Sequence, residues 1–453
     1  MQSPDIVPDG VAEMPWTVAL LIAIAPGVAA LATLPAHLRS GSVGRSLLQS
    51  HDEPDGNAQF MDVPLDHFAA QSPTWKLKFY VEDQAFEPGG VLLVTMPSEG
   101  ATGGCGGGML AKALKAATIC SQHRYFGDSV PLNDSSTAAF EKFLSVEQNL
   151  ADIAALIKHA RASLYPAASA TVVQGGSYAG ASAAWMRRTY PSLVDAAIAQ
   201  SPPVTATYDY YQYDVSNLVA LSSPDSRCAH TQARVSAALS SLLDKDAARL
   251  MRLFNASHFE TAAMGLVDFM YALGDSAASA IQYGRKHILC DALRPAYTRA
   301  PRPKHAAAVA TAAARDEDEA WALARLFANY TAAAWGPSYF RGCFYNSTCM
   351  ARATSGGVAQ SARSWYWMKC AHLGYLQTSP RVGLSTRPRQ LTVEKLMGQC
   401  RYIFGGAALI SPSKIDAFNA KFGGANFSGE VPCGLSHSHA ALMFICSGGR
   451  VLL

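Results

Sequence analysis

The chain has 453 residues, 37 Lys and Arg against 34 Asp and Glu, a formal charge of +3 and 49% hydrophobic residues. That length suffices for one large α/β domain with an insertion, or for two domains, and for a sizeable core. The balanced charge, with no Lys/Arg run interleaved with aromatics, excludes a nucleic-acid footprint.

Residues Trp16 to Leu34 are almost wholly apolar, are broken by Pro26-Gly27 and end in Ala30-Leu31-Ala32, a small-x-small cleavage pattern. Residues 1–35 therefore read as a signal peptide or hydrophobic N-terminal segment. Asp5, Asp9 and Glu13 stand where a signal carries positive charge, which makes Met14 a candidate start. Membrane attachment is expected only if the segment stays uncleaved, and Arg39 and Arg45 would then hold the rest of the chain in the cytoplasm. Sequons at Asn133, Asn255, Asn329, Asn346 and Asn426 argue against that orientation and for the secretory pathway, ending in lysosome, vacuole or medium. The ten cysteines are Cys105, Cys120, Cys228, Cys290, Cys343, Cys349, Cys370, Cys400, Cys433 and Cys446. With no C-x-x-C pair and no His at zinc spacing they read as structural disulfides of open connectivity, and no metal or cofactor is expected.

After a polar linker from Ser40 to Gln59, Trp75 to Val81 alternates like a half-exposed strand, and Val91 to Val94 is apolar like a central one. A glycine cluster, a helix around Met109 to Ala116 and a strand near Thr118 to Cys120 follow, which is βαβ alternation and predicts a mostly parallel sheet. Ser145-Val146-Glu147-Gln148 reads as a capping box, opening a helix with Val146, Leu150, Ile153, Leu156 and Ile157 on one face.

Ala170 to Gln174 is β-branched and short, and Ala181 to Tyr190 lacks Gly and Pro before Pro191. Between them lies Gly175-Gly176-Ser177-Tyr178-Ala179-Gly180, a strand-to-helix turn with small residues two positions either side of the serine. Such a turn exposes a hydroxyl as a nucleophile, and no Lys follows to make it a phosphate loop. Its oxyanion donors would be the backbone amides of Tyr178 and of the loop around Ser98, Glu99 and Gly100. Beyond it, helical stretches fill 208–363, read as a cap inserted between core segments 60–207 and 364–430. Alternation resumes only near Cys400 to Phe404, and a helix from Ser413 to Phe422 ends at Gly423-Gly424. Residues 431–453 form an atypical tail whose run Ala440 to Cys446 reads as an edge strand.

Several separated stretches resemble, in order, the serine peptidase family of lysosomal Pro-X carboxypeptidase, dipeptidyl peptidase II and thymus-specific serine protease. Pro64-Leu65-Asp66-His67-Phe68 is similar to its LDHF signature, Ser98-Glu99-Gly100 to its GGEG loop, and Gln122 to Pro131 to EHRYYGxSxP. Gly175 to Gly180 stands for GGSYGG, Trp365 to Tyr375 resembles W-x-x-x-C-x-E-x-G, and Cys400 to Gly405 resembles C-x-x-x-FG. The resemblance spans about residues 60 to 425.

It implies an α/β-hydrolase core with a helical cap, an acyl-enzyme on Ser177, a Cys370–Cys400 disulfide, and removal of short peptides next to proline. It does not choose between carboxypeptidase and dipeptidyl-peptidase specificity. A lipase or esterase shares the turn, but the His123 and Trp365 regions favour a peptidase. Gln122, Ala179 and His372 depart from the family's Glu, Gly and Glu. The larger departure is C-terminal: the NGxLDPW strand with the triad Asp, and the later triad His, are not recognisable. The C-terminal part of the core is accordingly expected to be incomplete, through a truncated or misread gene end. The remaining acid and base candidates are Glu430, His437 and His439, while His67 and His123 read as packed structural residues and Asp416 as a surface charge. The alternative function is a catalytically silent homologue that binds a peptide or partner.

Overall fold

The computed structural model describes residues 57–426 except 224, 298–316, 355 and 407–408, and the backbones of two C-terminal strands, 433–438 and 441–447. Strands β1 (Gln59–Pro64), β2 (Thr74–Glu82), β3 (Val91–Thr95), β4 (Ala117–Ser121), β5 (Ala170–Gly176), β6 (Ala196–Gln200), β7 (Cys433–Ser438) and β8 (Ala441–Ser447) form one eight-stranded sheet, in the order β1-β2-β4-β3-β5-β6-β8-β7. The middle strands β4, β3, β5 and β6 are parallel, and the flanks are antiparallel.

Parallel neighbours need crossovers, and here each is helical. Helix α1 (Gly108–Ala113) links β3 to β4, α2 (Thr137–Phe143) and α3 (Val146–His159) link β4 to β5, and α4 (Ser177–Thr189) links β5 to β6. Because side chains alternate along a strand, β3 sends Leu92 and Val94 to one face and Val91 and Leu93 to the other. Leu92, Val94, Val173 and Ala197 join Leu150 and Ile153 of α3 and Trp185 of α4 in the main core. Val91, Leu93, Val172 and Ile198 meet Ala111 beside Leu114 on the opposite face. This is an α/β-hydrolase core.

Helices α5 (Tyr211–Ser222), α6 (Ser226–Leu253), α7 (Gly265–Gln282), α8 (Lys286–Tyr297), α9 (Glu317–Trp335), α10 (Ser347–Arg352) and α11 (Val358–Met368) follow, with no strand among the described residues between 208 and 363. Then come α12 (Val393–Phe404) and α13 (Pro412–Phe422), whose Phe418 and Phe422 pack on Trp185. None of the described helices is long and apolar enough to cross a membrane. Disulfides join Cys105 to Cys120, Cys228 to Cys290, Cys343 to Cys349 and Cys370 to Cys400. Cys433 and Cys446 are register partners in the β7–β8 ladder.

Four local expectations change. Strand β2 alternates as expected over Trp75, exposed Lys76 and Leu77, but from Lys78 to Tyr80 both faces are buried, the Lys78 ammonium lying 2.9 Å from Asp128. Cys400 to Phe404 is helical: Val393, Leu396, Met397, Cys400, Ile403 and Phe404 are buried at helical spacing, a period longer than the five-residue alternation. Only half of the capping box forms, since Ser145 Oγ accepts from the Gln148 amide at 3.2 Å while the Gln148 side chain turns outward to Asp66 (2.7 Å) and to the backbone N–H of His67 (3.0 Å). Strand β8 is not an edge, because it pairs with both β6 and β7, and this hairpin extends the sheet antiparallel past β6.

The motif around His67 is tied to the core by one buried carboxylate. Asp152 accepts from Arg124 Nε and Nη2, each at 2.7 Å, and lies 2.8 Å from His67 Nε2, while Arg124 Nη1 donates to the carbonyls of Leu65 and Phe143 at 2.9 Å. Burial pushes the Asp152 pKa up, but the charges and hydrogen bonds of Arg124 and His67 outweigh it and hold the carboxyl below its usual range. Arg124→Met would strand that charge, so urea unfolding should show a loss of about 3–5 kcal/mol. A loss below about 1 kcal/mol would mean the network does not carry the motif.

Candidate active site

Strand β5 outruns β3, whose last pair is Thr95 with Gln174, and the chain turns where β5 ends. Gly176 is extended at φ −120°, and Ser177, the first residue of α4, takes φ +55°. The left-handed region costs a non-glycine residue roughly 1–2 kcal/mol, so the surroundings must hold the bend. They do so by close backbone approach. A Cβ on Gly175 would lie 2.3 Å from the Ala179 carbonyl oxygen, and one on Gly180 would lie 2.8 Å from that of Gln200 on β6. Gly180 is a requirement that the spacing around Ser177 did not disclose, because its close neighbour belongs to another strand.

The bend opens on a cavity of about 580 Å³ lined by Ser177, Tyr178 and Glu99 from the sheet and by Asp275, Trp365 and Lys369 from the helices, among others. Crevices at the carboxyl ends of parallel strands are where α/β folds place ligands. Of the expected oxyanion-loop residues, Glu99 and Tyr178 line the cavity, while Ser98 is exposed and Gly100 half-buried beside Glu99. Glu99 is enclosed by protein yet keeps partial access to solvent through the cavity, and desolvation raises its pKa to about 7.

Tyr178 is buried, its ring 5.3 Å from that of Trp365 and its hydroxyl 3.0 Å from His123 Nε2. His123 Nδ1 lies 2.8 Å from the Arg124 carbonyl, which can only accept, so Nδ1 carries the proton and Nε2 accepts from Tyr178. Burial lowers the His123 pKa to about 4, so the ring is neutral and orients Tyr178. His372 lies 3.0 Å from the Leu144 carbonyl, and burial lowers its pKa. No described histidine side chain lines the cavity. His437 belongs to β7 as the register partner of Leu442, and Glu430 and His439 lie outside the described residues.

Among the sequon residues, Asn133, Asn255 and Asn329 are exposed. Asn346 is half-buried and caps α10 by accepting from the Cys349 amide at 2.9 Å, and Asn426 ends the short turn Gly424–Asn426. The described residues contain no cluster of His, Cys, Asp and Glu able to hold a metal ion.

A strained serine bend at the end of a central parallel strand, roofed by helices, is the arrangement of the α/β-hydrolase class. The family model for serine carboxypeptidase S28 matches residues 63–431, and the chain belongs to that family. Members of that family are serine-type peptidases, which makes peptides the expected substrate class. Similar proteins include "Probable serine protease EDA2" of Arabidopsis thaliana, 27% identical over 89% of this chain and 79% of that protein. A second is "Probable extracellular serine carboxypeptidase" of Arthroderma benhamiae, 26% identical over 90% of this chain but only 62% of that protein. Human "Lysosomal Pro-X carboxypeptidase" is 35% identical over a shorter stretch, 42% of this chain and 38% of its own.

Gly175→Ala and Gly180→Ala should both destabilise the fold, by about 1–3 kcal/mol for the milder change at Gly180 and by more at Gly175, whose added methyl meets nearer backbone atoms. Chemical denaturation would check the order. Equal and negligible losses would contradict the close packing.

Proposed function

We propose that this chain is a serine exopeptidase that cleaves short peptides next to proline through an acyl-enzyme on Ser177. The observation that carries the reading is the strained Ser177 at the end of a central strand, inside a cavity roofed by helices. Such a roof admits a chain end more readily than a folded loop, and the Tyr and Trp faces inside offer proline an apolar packing surface. Ser177 Oγ attacks the scissile carbonyl carbon, its proton passes by way of a base to the leaving amine, and water then hydrolyses the ester. Backbone amides of Tyr178 and of the Glu99 loop are the proposed oxyanion donors, each worth about 3 kcal/mol of barrier. His437 and His439 remain the proposed bases and Glu430 the proposed acid. Relatives named lysosomal and extracellular support residence in the secretory pathway.

The second reading, a silent homologue that binds peptide without turning it over, is favoured by the lack of any described histidine in the cavity. Losing a triad base costs roughly six orders of magnitude in turnover, so the two readings separate cleanly. A fluorophosphonate should label Ser177 in the full chain and fail on Ser177→Ala, and a blocked proline-containing peptide should be cleaved. Absence of both signals would sink the peptidase reading and leave the silent one.

Glu99 sets a pH dependence. Below about 7 it is mostly neutral, and above that it becomes an anion in the cavity where negative charge develops on the substrate oxygen. Activity should therefore fall as pH rises through about 7, and Glu99→Gln should flatten that limb of the pH–rate profile. An unchanged limb in Glu99→Gln would assign it to another group.

A further inference from the structure

Lys369 begins the wide helical turn Lys369–Leu373 that follows α11, and its side chain enters the cavity that holds Ser177. The residue is 3% exposed. Its ammonium lies 4.1 Å from the ring centre of Tyr366, 5.0 Å from that of Tyr271 and 5.7 Å from that of Phe344, and donates to the Tyr271 hydroxyl at 3.2 Å. Aromatic faces attract a cation and hold it in place, but they do not neutralise it. Among the described residues Lys369 has no ion-pair partner. A buried charge without a counter-ion is costly, and a ligand able to supply the anion would recover that cost.

The acids of the cavity are committed elsewhere. Asp275 accepts from Arg387 Nη2 at 3.1 Å and from the Tyr345 hydroxyl at 3.3 Å, and Glu99 is mostly neutral in acidic surroundings. Neither is left to hold the ammonium of a peptide's first residue. Arg285, exposed where it lines the same cavity, adds positive charge. We propose that Lys369 is the counter-ion for the free C-terminal carboxylate of a peptide bound beside Ser177, so that this site reads carboxyl ends rather than amino ends. The inference takes its ligand class from the exopeptidase reading, but its test does not depend on turnover.

The test is calorimetric binding of N-acetyl-prolyl-phenylalanine and of its C-terminal amide to the full chain carrying Ser177→Ala, which cannot form the acyl-enzyme. The acid should bind about tenfold or more tighter than the amide, as expected when a desolvated charge gains its partner. Adding Lys369→Met should bring the acid down to the amide, and Lys369→Arg should keep part of the preference. The titratable and charged groups around Lys369 are Tyr271 and Asp275 of α7, Tyr366 of α11 and Arg387, with Tyr345 in the same cavity wall. Burial holds the three tyrosines well above their ordinary range and thus neutral, and Asp275 is paired with Arg387. Burial, with Arg387 adding and Asp275 opposing, lowers Lys369 to about 7, so the acid preference should fade as pH rises through that value. Glu99 becomes anionic over the same range, and whatever pH dependence survives in Lys369→Met belongs to it.

Equal binding of acid and amide to the protein with Lys369 intact would overturn the proposal, as would a folded Lys369→Met that keeps the preference. If that variant does not fold, the acid-to-amide ratio and its fade with pH in the Lys369 protein decide. Acid-selective binding with no hydrolysis by the unmutated chain would count against the peptidase reading and uphold this one. Equal cleavage of acid and amide peptides would do the reverse.

Discussion

Everything at the site depends on a single backbone bend that the polypeptide would not adopt by itself. Ser177 sits in the left-handed region, and its place is kept because β5, α4 and β6 approach so closely that neither Gly175 nor Gly180 has room for a Cβ. The strain is local, and the restraint is spread over the sheet. Trp185 on α4, wedged against Phe418 and Phe422, extends that restraint to α13. A backbone held this way keeps Ser177 at the mouth of the cavity without a conformational search of its own.

The helices contribute surroundings rather than scaffold. They close a cavity in which charges are unevenly settled: Asp275 is matched by Arg387, Glu99 is pushed towards neutrality, and Lys369 is left among aromatic rings. Such a site favours an incoming carboxylate over an incoming ammonium on electrostatic grounds alone. The histidines of the early motifs do different work: His67 braces Asp152 and Arg124 in the core, and neutral His123 accepts through Nε2 from Tyr178, which lines the cavity.

Much of this was legible along the chain, and where it was not the reason is physical. The parallel centre of the sheet was readable because Val91 to Val94 and Ala170 to Gln174 are short apolar runs bounded by glycines and helices. The cover over β2 was not, since Lys78 looks like a solvent-facing residue until Asp128 and the β1–β2–β4 pairing are in place. Residues 400–404 misled because five residues can satisfy a period of two while belonging to a period of 3.6. Gln148 was expected to cap its own helix, but it found better partners in Asp66 and the His67 amide, 82 and 81 residues away. Lys369 escaped notice in a motif defined by its tryptophan and cysteine, because a lysine in a sequence carries no sign that it will be buried.

Sequence alone determined the kind of fold, the position of the serine turn and the ordered motifs that place the chain among serine carboxypeptidases, since these follow from local periodicity and from residues adjacent in the chain. Tertiary structure alone decided which charges share the cavity, which are already neutralised, and which glycines the bend requires. The charge pairings depend on segments far apart in the chain, Asp275 and Arg387 being 112 residues apart, the clearance at Gly180 depends on the neighbouring strand β6, and the loss of water that raises Glu99 and lowers Lys369 follows once the helices close over the sheet.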